Sequence, residues 1–154
     1  MVTTAAAGNR PAAAKRVVLD FVAALNERGG EAWVDLLAPD VIDHNKIIFG
    51  EDDTPGAAIE GFRQQLAAFS TDRPGHGFMV EQLIGEGDEV VARLRVRGAH
   101  TGYHPRMPQP TGRSCDVEQI WIFTVRDGRI AELRAVSDRL GMFLQLGWDW
   151  PSQD

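Results

Sequence analysis

At 154 residues the chain can bury about two thirds of its extended surface as one domain, and 44% hydrophobic with 25% charged residues excludes a disordered or fibrous protein. Sixteen Lys+Arg against 22 Asp+Glu give a formal charge of −6, so no cationic field gathers phosphates and nucleic acid is not an expected partner. The single cysteine, Cys115, leaves no internal disulfide and no thiolate zinc site, which suits a reducing cytoplasm.

Residues 1–10 are Ala-rich and read as a loose tail, with one domain expected over 11–154. The apolar stretch from Val17 to Leu25 contains Asp20 and is too short for a membrane span, so no membrane partner is expected. Within it Val17, Val18, Phe21, Val22 and Leu25 recur at helical spacing, Pro11 is tolerated in a first turn, and Gly29-Gly30 supply a stop; an amphipathic helix is predicted over 11–28. A shorter helix is predicted over 31–37, ended by Pro39, and a third over 57–69, where Phe62, Leu66 and Phe69 share a face.

After Pro74 the apolar period changes from about 3.6 to 2. Phe78 to Ile84, with the turn Gly85-Glu86-Gly87-Asp88, reads as a hairpin arm. Along 88–98, Val90, Ala92, Leu94 and Val96 alternate with Arg93, Arg95 and Arg97, a strand with one buried face. Along 116–126, Val117, Gln119, Trp121, Phe123 and Val125 share one face and Glu118, Ile120 and Ile122 the other. Asp127-Gly128 then predicts a tight hairpin into a strand over 129–136. Helices followed by an antiparallel meander make an α+β domain with the helices covering one sheet face. The Pro- and Gly-rich stretch 99–114 is too long for a hairpin turn and is either a pocket rim or an irregular edge segment.

Several phrases, taken in order, resemble the SnoaL-like polyketide cyclases of the nuclear transport factor 2-like superfamily. These are Asp40-Val41-Ile42-Asp43-His44-Asn45, Arg97-Gly98-Ala99-His100-Thr101-Gly102, Pro110-Thr111-Gly112-Arg113, Val125 through Glu132, and Asp138-Arg139-Leu140-Gly141 with Gln145-Leu146-Gly147. The resemblance covers roughly residues 12–147. It implies an NTF2-like cone, a curved antiparallel sheet wrapped around N-terminal helices and enclosing an apolar cavity, in a homodimer built sheet to sheet. It also implies cofactor-free, aldol-type closure of a polyketide ring, with hydroxylation, isomerisation, epoxide hydrolysis, pericyclic closure or noncatalytic binding of a small ligand as alternatives in the same pocket.

By the same resemblance Asp138 is the expected catalytic residue, removing a proton α to a carbonyl and returning it to the new alkoxide. The local reading of Asp138 is different, because an Asp before Arg139-Leu140-Gly141 is a preferred helix N-cap. His44 and Asn45 are expected near the cavity mouth, where either could donate to a substrate carbonyl; His44 could equally tie down its loop. His100 contacts substrate or fixes the loop after its strand. Gln119, an amide among apolar neighbours, orients a ligand or satisfies backbone, and Trp121 is pocket wall or core. Arg134 departs from the family, where Trp is common; it would bind an anionic group, hold Asp138 ionised, or pair with Glu118 or Glu132. His100 and His104 lie four apart in a Pro/Gly loop and do not make a metal site, so no metal is expected; the resemblance implies that no organic cofactor takes part. Ile120 and Ile122, opposite the Gln119 face, are expected to carry part of the dimer contact.

Overall fold

The computed structural model describes residues 9–27, 29–45 and 54–149. The expected tail over 1–10 therefore falls almost wholly outside the described residues. Helix α1 (Arg10–Leu25) has Pro11 in its first turn and buries Val18, Phe21, Val22 and Leu25, the i, i+3, i+4, i+7 stripe read from the sequence. A short 3-10 turn (Ala32–Leu36) inserts Trp33 into the core. Strand β1 (Leu37–Asp43) follows, then α2 (Ala57–Ala68) and the two-residue strand β2 (Phe69–Ser70). Four long strands complete the sheet: β3 (Gly77–Glu86), β4 (Glu89–His100), β5 (Ser114–Arg126) and β6 (Arg129–Ser137). Helix α3 (Arg139–Gln145) ends the described fold.

The sheet order is β1-β6-β5-β4-β2, with β3 paired to β4 along the same edge as β2. The meander β3 to β6 is antiparallel, as its alternation predicts. The sheet as a whole is mixed, because β1 joins β6 in parallel. That strand carries Pro39 and Asp40, poor sheet formers tolerated at an edge, which is why its pattern does not read as a strand.

The inward face of β4 and β5 carries Val90, Ala92, Leu94, Val117, Gln119, Trp121 and Phe123, all buried. Phe21 of α1 meets Phe62 of α2 and Phe123 of β5 edge to face at 5.8 and 6.0 Å, the preferred aromatic geometry. The outer face is an ion-pair ladder: Arg93 bridges Glu81 and Glu118, while Arg95 and Arg97 share Asp116. Burial alone would raise the Asp116 carboxyl, but hydrogen bonds from Arg97 and Arg95 hold it below the usual range. At the β5–β6 hairpin, Asp127 and Gly128 both have positive φ, 52° and 74°, as a two-residue turn that matches strand twist requires.

Candidate active site

The long loop between β4 and β5 is anchored before it turns over the cone. The backbone N–H groups of Thr101 and Gly102 both donate to the Ala68 carbonyl at the end of α2. Gly102 sits so close that a Cβ there would collide with the Ala67 carbonyl oxygen. Beyond this anchor His104 turns inward and is fully buried. Its ring lies edge-on to Phe69 and Phe143, with centroids 5.8 and 5.4 Å away, and its Nδ1 accepts the Arg106 backbone N–H at 3.1 Å. Desolvation, aided by the charges of His100, Arg106 and Arg139, lowers the His104 pKa to about 4. The ring is neutral at pH 7, and its proton resides on Nε2 because Nδ1 is an acceptor.

His104 lines an inner chamber of about 70 Å³ together with Asp43, Asn45, Gln65, Phe69, Gln119, Trp121, Ser137, Arg139 and apolar residues of α2, β6 and α3. A second compartment of about 40 Å³ shares Gln65, Phe69, Gln119 and Met142 with it. On the other side of Phe69 an open cavity of about 420 Å³ runs past Trp33, Arg63, Ser70 and Thr101. Ligand pockets commonly occupy about 300–1,000 Å³; the outer cavity reaches that range and the inner compartments do not. Phe69 is the residue that the described linings of all three spaces share.

Asn45, Gln119 and Trp121 line this chamber. Gln119 Oε1 accepts the indole N–H of Trp121 at 2.7 Å. Other expected residues lie elsewhere. His100 does not line the chamber: its Nδ1 accepts the Thr111 backbone N–H at 3.3 Å, and its backbone pairs with Arg113 and Gly112, so its contacts fix the loop. His44 Nε2 lies 3.1 Å from Glu132 Oε1, clamping the end of β1 to β6. This bond and Arg126 hold the Glu132 carboxyl below its ordinary range.

Arg134 and Asp138 are exposed and do not line the chamber. The alternation puts Arg134, Val136 and Asp138 on one face, and that face is the outer one. The reason is a register shift in β6: Thr124 pairs with Glu132 but Val125 with Ile130, so one extra residue slips in. Such a bulge inverts the parity downstream. Ile130 is buried before it; Leu133, Ala135 and Ser137 face the chamber after it. Glu118 is taken by Arg93, and Glu132 by Arg126 and His44, so neither expected partner serves Arg134. The Asp138 Oδ1 accepts the Gly141 N–H at 2.8 Å, the N-cap of α3.

Sequence reading missed Asp43, Ser137, Arg139 and the placement of His104. Asp43 closes β1, opposite Leu133 in the parallel register, and its Oδ1 accepts the Asn45 N–H at 2.8 Å. This Asx turn fixes the carboxylate at the chamber wall. Among the described residues lining the chamber, Asp43 is the one carboxylate. The signal for it in the sequence is its position in the Asp43-His44-Asn45 phrase, beside His44 and Asn45.

A helix-filled cone with a polar-studded apolar chamber is the architecture of a family of enzymes, and the chain belongs to it: the SnoaL-like polyketide cyclase model matches residues 15–146. Among curated relatives, the aklanonic acid methyl ester cyclase DnrD of Streptomyces peucetius is 31% identical over 121 residues, 79% of this chain and 78% of that protein. The nogalonic acid methyl ester cyclase of Streptomyces nogalater is 28% identical over 134 residues, 87% of this chain and 97% of its own. Of solved structures, TsrD from Streptomyces laurentii superposes with a TM-score of 0.72 at 26% identity, covering 88% of this chain and 96% of that one. IdmH from Streptomyces antibioticus gives 0.68 at 28% identity, covering 88% and 99%.

Proposed function

We propose that this polyketide cyclase closes its ring by an intramolecular aldol reaction in the inner chamber, with Asp43 moving the proton. The observation that carries the reading is Asp43 itself, the carboxylate among the chamber's described lining residues. In the reaction a base takes the proton α to a carbonyl, the enolate carbon attacks a second carbonyl of the same molecule, and the resulting alkoxide takes the proton back. Each proton begins and ends on the substrate or on Asp43, so side chains suffice for every step.

The compartment volumes support a divided substrate site. The reacting end occupies the inner chamber and the remainder passes Phe69 into the outer cavity, whose walls offer Arg63, Ser70 and Thr101 to polar groups. Rotation of Phe69 joins the spaces.

A second reading keeps Asp138 as the acid/base. It is favoured by the position of Asp138 between Ser137 and Arg139, both of which line the chamber, and by the expectation the family resemblance raises. Substitution to Asn separates the two, because the amide is nearly isosteric and still caps a helix. With a β-ketoester polyketide mimic, Asp43→Asn is expected to abolish α-proton exchange in deuterated water and ring closure, while Asp138→Asn retains both. The reverse pattern assigns the chemistry to Asp138. Ligand affinity without exchange or closure on a panel of such mimics, in the unsubstituted protein, refutes the cyclase reading for a binding protein.

The working form in this proposal is a cytoplasmic homodimer of a single domain over 11–154. Ile120, Ile122 and Val136 are adjacent on the outer sheet face and exposed at 42, 38 and 75%. A second copy would cover them while the surrounding Arg and Glu side chains pair across the two-fold axis. No helix among the described residues is long and apolar enough to cross a membrane.

A further inference from the structure

Gln119 and Ser137 lie directly opposite each other in the β5–β6 register, and both side chains line the inner chamber. Residues so paired have Cβ atoms about 4.5–5.5 Å apart, close enough for both side chains to reach a single atom between them. The orientation of the Gln119 amide is decided by its neighbour. An indole N–H can only donate, so the Trp121 Nε1–H, 2.7 Å away, must face the amide oxygen. The NH2 end, a pair of donors, is thereby turned away from Trp121, and Gln119 is only 7% exposed. The Ser137 hydroxyl rotates freely enough to donate in the same direction. Leu133 and Ala135 provide an apolar floor and Arg139 a positive charge at the same wall.

We propose that Gln119 and Ser137 form a two-donor site for the substrate oxygen on which negative charge develops during ring closure, with Trp121 as the positioning residue that fixes the polarity of the amide. The inference rests on the chamber being the ring-closing site described above. Proton removal next to a carbonyl makes an enolate, and the charge moves onto its oxygen; donors already aimed there stabilise the transition state more than the ground state. The acceptor carbonyl becomes an alkoxide in the next step and needs no second site if Asp43 delivers the proton to it as it forms.

The test uses a planar anion and its neutral counterpart, 4-nitrophenolate and 4-nitrotoluene, with binding followed by titration and the phenolate fraction by absorbance. The unsubstituted protein is expected to bind the anion more tightly and to lower the apparent pKa of the bound phenol. Ser137→Ala should weaken phenolate binding about tenfold and leave 4-nitrotoluene within about twofold, while Ser137→Thr, which keeps the hydroxyl, retains the preference. Gln119→Glu preserves an acceptor for Trp121 but replaces the donors with a carboxylate oxygen, and should abolish the preference. Thermal melts of each variant verify folding, and Ser137→Gly, which also removes the hydroxyl, and Gln119→Leu, which removes the amide donors, serve if a first variant unfolds. Phenolate preference unchanged in Ser137→Ala, or retained in Gln119→Glu, overturns the proposal. Ring closure assayed on the same variants keeps the two ideas apart. Donor-dependent phenolate binding in a protein that closes no mimic supports the site and sinks the cyclase reading; unimpaired closure by both variants does the opposite.

Discussion

His104 makes acid a specific perturbant of this fold. Its ordinary pKa in the unfolded chain is about 6.5, and burial lowers it to about 4 in the folded state. Well above pH 6.5 the ring is neutral in both states and contributes nothing to pH dependence. Below it the unfolded chain takes up a proton that the folded chain refuses, and stability falls as the pH drops toward 4, because the state binding more protons is favoured by acid. Integrating the two titrations gives a loss of about 2 kcal/mol between pH 7.5 and pH 5 and about 3 kcal/mol by pH 4. The charges acting on the ring are His100, Arg106 and Arg139, with the Asp43 carboxylate on the same chamber. The assay is urea denaturation at pH 7.5 and pH 5, a window above most carboxylate titration, on the unsubstituted protein and on His104→Leu. The difference in slope, not the absolute stability, is the readout: the unsubstituted protein should lose about 2 kcal/mol more than the variant. Equal losses, or a His104 proton resonance titrating near 6.5, would refute the claim that the loop keeps this ring dry.

Other consequences can be checked with simple variants. Asp138→Ala removes the α3 cap and should cost about 1 kcal/mol in denaturant, whereas Asp138→Asn costs only tenths; equal effects would mean the charge matters rather than the cap. Gly102→Ala forces a Cβ onto the Ala67 carbonyl and is expected to lower Tm by several degrees and loosen the loop, seen as faster amide exchange at Thr101. Phe69→Ala removes the side chain that the inner and outer cavities share and should raise affinity for bulky aromatic ligands despite a stability cost of about 2–4 kcal/mol; unchanged selectivity for ligand size would show that the spaces act separately. Ile122→Glu places like charges on the proposed contact face and should shift light scattering from dimer to monomer at micromolar concentration.

Local pattern alone determined much of this protein. The helical stripe of α1, the period-2 runs of β3 to β5, the Asp127-Gly128 turn and the Asp138 cap depend on neighbours within a few residues, and each was legible in the chain. Membership of the family was legible too, in the ordered phrases from Asp40 to Gly147. What the chamber contains was decided by contacts distant in sequence. Period 2 says which residues share a face but not which face the helices cover, and the bulge near Ala131 reverses the answer for β6, sending Arg134 and Asp138 outward and Ala135 and Ser137 inward. The strand β1 exists because β6 offers it a parallel edge, against the preference of Pro39 and Asp40, and only that pairing carries Asp43 to the chamber wall. The burial of His104 has no signal in its own segment, because the rings that close around it, Phe69 and Phe143, lie 35 and 39 positions away. Burial, and with it the charge state of an ionisable group, is a property of the packed whole.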